Sequence, residues 1–205
     1  MCQWLVIAVC FLTPERAAGG IEITAEGQQL AKALDDMKVE SLWLARNRVH
    51  WKTGEPYGEA PTDGKPHTHC SAFAAAFCYR HGIYILRPPE HSATMLANAQ
   101  YDWLRSEGRD KGWTPVDGPI EAQRLANQGM VVVASFKDRD PRKHGHIAII
   151  RPSSKSDSAI LADGPQIAQA GMDNYSSTNL SEGFKHHRGA WPGEIHYFAH
   201  AVKWK

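Results

Sequence analysis

The spacing of apolar positions changes part-way along the chain. From Gln28 to about Trp51, the residues Leu30, Leu34, Met37, Leu42, Ala45 and Val49 recur close to helical spacing, and Gly54 and Pro56 end the pattern. A polar loop over 55–66 follows, punctuated by Pro56, Gly58, Pro61, Gly64 and Pro66. The next helix is predicted over 69–81, with Cys70, Phe73, Ala74, Phe77 and Cys78 on one stripe and Gly82 as its stop. Two more, over about 92–107 and 120–128, are closed by Gly108 and Gly129.

Beyond Gly129 the texture becomes that of strands. Met130 to Phe136 is a β-branched run expected of a strand buried on both faces, and the charged loop 137–144 leads into a second strand over 146–151. A serine-rich turn at 153–158 precedes short apolar stretches at 159–162 and 166–170. A loop rich in Gly, Ser and Asn and a last strand near 194–200 complete the chain. Helices first and consecutive strands afterwards predict an α+β fold with an antiparallel sheet.

Composition narrows the reading. A chain of 205 residues with 42% hydrophobic content can bury one good core, so a single catalytic domain over 20–205 is expected. Twenty-three Lys plus Arg against 22 Asp plus Glu give a net charge of +1, without the basic excess that draws nucleic acid or an anionic membrane. Neither is expected as a partner. The uninterrupted apolar run Trp4 to Leu12 is too short to span a bilayer but suits a secretory signal, with Ala17-Ala18-Gly19 as small residues for cleavage. Residues 1–19 are therefore read as a signal peptide of a secreted or periplasmic protein, although Met1-Cys2-Gln3 lacks the usual positive charge. Its removal leaves Cys70 and Cys78. On one helix their Cα atoms would lie roughly 12 Å apart, beyond the about 7 Å that a disulfide spans, so Cys70 is left free for chemistry.

In Thr68-His69-Cys70-Ser71-Ala72-Phe73 a cysteine sits where the loop becomes an alanine-rich helix, and in Gly145-His146-Ile147-Ala148-Ile149-Ile150 a histidine opens a strand. A helix N-terminus and an imidazole are the two commonest means of favouring a thiolate, so the pair reads as a cysteine nucleophile with a histidine base. Strand alternation puts His146 on one face with Ala148 and Ile150, and small Ala148 would let the helix tip approach. A third polar residue usually orients such a ring. Gln169 is favoured, because a hairpin through the serine-rich turn would return it beside His146; Asp163 and Asn174 compete for the role. Backbone N–H groups of Cys70 and its neighbours would meet an oxyanion. The histidines at 67 and 69, at 144 and 146, and at 186 and 187 invite a zinc reading. No H-E-x-x-H or paired C-x-x-C accompanies them, so no metal and no cofactor is expected, and His144 is a decoy for His146. Cys78 reads as core, and Trp103, Trp113, Trp191 and Trp204 as packing rather than a carbohydrate surface.

These residues resemble the NlpC-type cell-wall peptidases and the related CHAP amidases, papain-like cysteine enzymes. Gly54-Glu55-Pro56-Tyr57 followed by Cys70-Ser71-Ala72-Phe73 is similar to that family's G-x-P-Y loop and D-C-S-G-F nucleophile motif. Gly145-His146-Ile147-Ala148-Ile149 is similar to its histidine strand, and Ile167-Ala168-Gln169-Ala170 sits where it carries its third polar residue. The resemblance covers about residues 40–172. It implies a papain-like fold, Cys70 as nucleophile, His146 as base, Gln169 as the orienting residue, and Tyr57 and Ser71 at the substrate site. The implied substrate is the peptide part of bacterial peptidoglycan, with an immunity protein as a further partner if the enzyme is a secreted toxin. His69 for the usual acidic residue, Ala72 for glycine and the missing tryptophan after Tyr57 are departures that bear on which bond is cut. A transglutaminase-like enzyme, favoured if Asp163 were the third residue, and an inactive wall-binding module are the alternatives.

Overall fold

Seven positions of one helix are buried on all its sides, and the rest of the fold is arranged around it. A computed structural model describes residues 22–204; the apolar run and cleavage motif read as a signal peptide, with Cys2 and Cys10, lie outside the described residues. In chain order the described elements are α1 (Ala25–Asp35), α2 (Cys70–Arg80), α3 (Leu96–Ser106), β1 (Thr114–Val116), α4 (Gly118–Asn127), β2 (Val131–Phe136), β3 (His146–Ile150), α5 (Asp157–Asp163), β4 (Gln166–Gln169), β5 (Tyr175–Asn179), α6 (Leu180–Gly183) and β6 (His196–His200). The fold is α+β, with a six-stranded antiparallel sheet in the order β1-β6-β2-β3-β4-β5.

Every residue of β2 and β3 is buried, as their continuous apolar runs require. α2 and α3 pack together against β2, β3 and β4, while α4 packs with α1 and α5 and against β6, β2 and β3. In α2 the buried set is Cys70 and Phe73 to Cys78, wider than the expected stripe because Ala74, Ala75 and Ala76 are small enough for neighbours to close on every side. Trp43 packs on α2, its ring edge-on to Phe73 at 5.5 Å. Gly82 closes α2 as expected, and the Ile83 N–H donates to the Cys78 carbonyl at 2.9 Å.

Two expectations need correction. The helix predicted over 28–51 ends at Asp35, because Lys38, Trp43 and Arg46 adopt left-handed backbone conformations that no helix contains. Met37, Val39 and Trp43 are nevertheless buried, one by one, from a looped segment. The stretch 159–162 belongs to α5, capped by the Ser156 hydroxyl accepting from the Ala159 N–H at 3.3 Å, so β3 returns to β4 through a helix rather than a simple hairpin. That return is held by α4: Gln123 donates to the Arg151 carbonyl at 2.9 Å and accepts from the Gln166 N–H at 2.8 Å. Asn127 donates to the Ser153 carbonyl at 2.8 Å. No helix among the described residues is long and apolar enough to cross a membrane.

Candidate active site

The β3–β4 register pairs Ile149 with Ala168 and Ile150 with Ile167. Continued by one step, it sets Gln169 opposite Ala148 and diagonal to His146 on the same sheet face, within reach of a long side chain. The Gln169 Oε1 accordingly lies 2.7 Å from His146 Nε2. Gln169 Nε2 donates to the Asp173 carbonyl at 3.2 Å, which fixes the amide with its oxygen toward the ring. The ring therefore carries its proton on Nε2, and Nδ1 is left as the free base.

Gly145 delivers the histidine. Its N–H donates to the Asn98 Oδ1 at 2.6 Å, and Asn98 Nδ2 donates to the Lys143 carbonyl at 2.9 Å, so α3 holds the loop immediately before β3. A Cβ at position 145 would lie 2.2 Å from the Phe136 carbonyl oxygen and 2.5 Å from Asn98 Oδ1, which leaves room only for glycine.

Cys70 is the first residue of α2. The helix start has no side-chain cap, and no acidic residue lies in the first turn, so no carboxylate competes for its leading N–H groups. The backbone N–H groups of Ile147, one residue beyond His146, and of Ser71 and Cys70 favour the charged form of the Cys70 sulfur. Burial nevertheless dominates and pushes the Cys70 thiol upward, with those three N–H groups opposing it. Burial likewise holds His146 down at about 4, only partly offset by Gln169. At neutral pH the site thus rests as thiol and neutral imidazole, not as the preformed thiolate and imidazolium expected from the sequence.

Cys70, His146 and Gln169, which are 5%, 3% and 2% exposed, line one cleft of about 670 Å³. Ser71 lines it too, its carbonyl held by Gln100 Nε2 at 3.1 Å. Tyr57 is not among its lining residues: it is exposed and packs on His50 with ring centroids 4.6 Å apart. The loop that carries it instead holds Trp43, which packs on α2, through the Trp43 N–H bonded to the Gly54 carbonyl at 2.9 Å. The two competitors for the third position are placed elsewhere. Asn174 donates to the Val39 and Leu42 carbonyls at 2.7 and 2.8 Å and accepts from the Gly171 N–H at 3.0 Å. Asp163 is exposed at the end of α5 and does not line the cleft.

One site residue was hidden from the sequence reading. His187 lines the same cleft and stacks on His146, centroids 4.8 Å apart and planes 18° from parallel. Only its membership of a histidine pair marked it beforehand. Among the described residues no group of three or more His, Cys, Asp or Glu could hold a metal ion. Cys78 is a free, fully buried thiol pushed up to about 12 by desolvation. Trp103 and Trp113 are buried, and Trp191 and Trp204 pack against the core. No protein-family model matches the chain, and no curated protein matches it.

Proposed function

We propose that the protein is a papain-like cysteine hydrolase that cleaves an amide bond in the peptide part of bacterial peptidoglycan, without metal or cofactor. The observation that carries this reading is the convergence in one cleft of a sulfur at an uncapped helix tip and an imidazole whose Nε2 is already held by Gln169 at 2.7 Å. As the Cys70 sulfur attacks the scissile carbonyl carbon, its proton passes to His146 Nδ1, and the carbonyl oxygen takes up negative charge facing the first N–H groups of α2. The C–N bond then breaks, the imidazolium protonates the leaving amine, and the acyl group remains as a thioester. Water, deprotonated by His146, attacks the thioester and returns the thiol.

The choice of substrate rests on the order of the G-x-P-Y, cysteine and histidine motifs, with Tyr57 placed outside the cleft as a departure. It also rests on the mixed charge of the cleft, where Lys65 and Lys185 stand with Asp63, Asp173 and Glu182. A peptide bearing both free carboxylates and free amines suits such a surface. Export follows on the same reading from the apolar run at 4–12. Peptidoglycan fragments incubated with the protein are expected to gain new amine termini, and Cys70→Ala and His146→Ala are expected to lower the rate on the order of 10³-fold or more. Equal release by Cys70→Ala and the native protein would remove the hydrolase.

A further inference from the structure

His187 takes no part in the steps above, yet it lies face to face with the ring that does. Its imidazole lies nearly parallel to His146 at 4.8 Å. Phe184 meets His146 edge-on at 4.6 Å and 78°, and Phe136 packs on His187 at 5.8 Å. The His187 ring makes no hydrogen bond of its own among the described residues; its backbone N–H is held by the Phe184 carbonyl at 2.8 Å. The ring is therefore placed by its own short turn and by aromatic faces.

A single hydrogen bond at Nε2 fixes one point of the His146 ring and leaves its plane free to turn. A flat group laid on its face removes that freedom and keeps water from the bond to Gln169. Resting on the hydrolase reading, we propose that His187 is a positioning residue, whose neutral ring stacks on His146 to hold Nδ1 toward Cys70 and to shield the His146–Gln169 hydrogen bond from water.

The stack works only while His187 is uncharged, since a second cation so close would oppose the imidazolium that forms in turnover. Burial, followed by His146 and then His186, holds His187 down at about 3, against Asp138. Asp138 from the loop after β2 and His186, itself 3.9 Å from Asp173, are the charged or titratable groups that act on His187 besides His146, and Cys70 from α2 lines the same cleft. Gln169 from β4 and Phe184 from the turn after α6 carry no charge. Burial and the facing His146 ring thus both disfavour a charge on His187.

The experiment compares His187→Ala, His187→Asn and His187→Phe on peptidoglycan fragments, with Cys70→Ala as control and urea midpoints to confirm folding. His187→Ala is expected to lower kcat about 10- to 100-fold with KM little changed. It is also expected to move the acid limb of kcat/KM from near pH 4 toward the ~6.5 of a hydrated imidazole. His187→Phe restores a flat apolar face and is expected to keep kcat within about 3-fold of the native value and the limb low. His187→Asn keeps polarity without a ring and should behave as Ala does, which carries the comparison should the Ala variant not fold. A folded Ala or Asn variant with native kcat and native acid limb overturns the stacking role, as does a Phe variant no better than Ala. Activity in Cys70→Ala would instead overturn the hydrolase reading itself, so the two failures are told apart.

Discussion

Gln169 is held at both ends of its amide, and its surroundings leave no slack. A Cβ on Gly183 would stand 2.5 Å from Gln169 Oε1 and 2.4 Å from Ile167 Cδ1. Gly183→Ala is therefore expected to push the amide off the imidazole and to cost about 1–3 kcal/mol of stability through overpacking. Turnover should fall about 10-fold or more, because orientation of the base is lost. The measurements are kcat and a urea midpoint; native values of both would show that the glycine is incidental. Gln169→Ala and Asn174→Ala should separate in the opposite sense. The first is expected to reduce turnover more than stability. The second leaves the Val39 and Leu42 carbonyls without their donor and is expected to cost about 1–3 kcal/mol, with the smaller effect on kcat. At Cys70 burial raises the thiol, so alkylation by iodoacetamide is expected to accelerate only above the ~8.5 of an ordinary thiol. A rate plateau reached at pH 6 would show a preformed thiolate instead.

At the scale of elements, what was readable in the sequence is what carries its own punctuation. α2 lies between a proline-marked loop and Gly82, and β2 and β3 are β-branched runs, so their type and ends followed from composition alone. Cys70 and His146 stand at those ends, which is why they were legible. Gln169 was legible only as a register argument, and the connection behind it was misread because an apolar tetrad cannot distinguish a short helix from a strand. α1 was overextended since left-handed Lys38, Trp43 and Arg46 are not glycines and announce nothing. β5, Tyr-Ser-Ser-Thr-Asn, has no apolar alternation because it is an edge strand, and four-residue α6 is too short for any periodicity. His187 follows those unread elements, so its place on His146 depended on tertiary structure. The clamp from α4 was equally hidden, and it carries a test. Gln123→Ala leaves the half-buried Gln166 N–H and the Arg151 carbonyl without Gln123, at a cost of about 1–3 kcal/mol. Hydrogen exchange is expected to quicken first along β4; uniform quickening across the sheet would mean that the clamp has no local role.

For the whole molecule, the same burial that builds the site fixes its response to acid. His146, His187, His69, His81 and His196 are all held below the ordinary histidine value, with desolvation as the first cause in each. The unfolded chain therefore binds more protons than the folded one once pH falls below the ~6.5 of a free imidazole, and stability declines from there. For a group depressed in this way the contribution is complete above the unfolded value and is lost on the way down to the folded one. His146, held at about 4, contributes a loss of roughly 1.4 kcal/mol per pH unit across that interval, on the order of 3 kcal/mol in all. The carboxylates held low, Glu40, Asp63, Glu121, Asp140 and Glu182, lie at the surface and lose their contribution only below their own ordinary range near 4. Between pH 6.5 and 4.5 the loss therefore belongs to the histidines. Against a typical total of about 5–15 kcal/mol, a loss of that order is a substantial fraction of the stability. Urea midpoints taken from pH 7.5 to 4.5 are expected to fall steadily below 6.5, and to fall less steeply in His146→Gln, which removes one of the two strongly depressed rings of the site. A midpoint that stays level to pH 4.5 would mean that these rings reach water in the folded protein, and with it that the cleft is wetter than its packing implies.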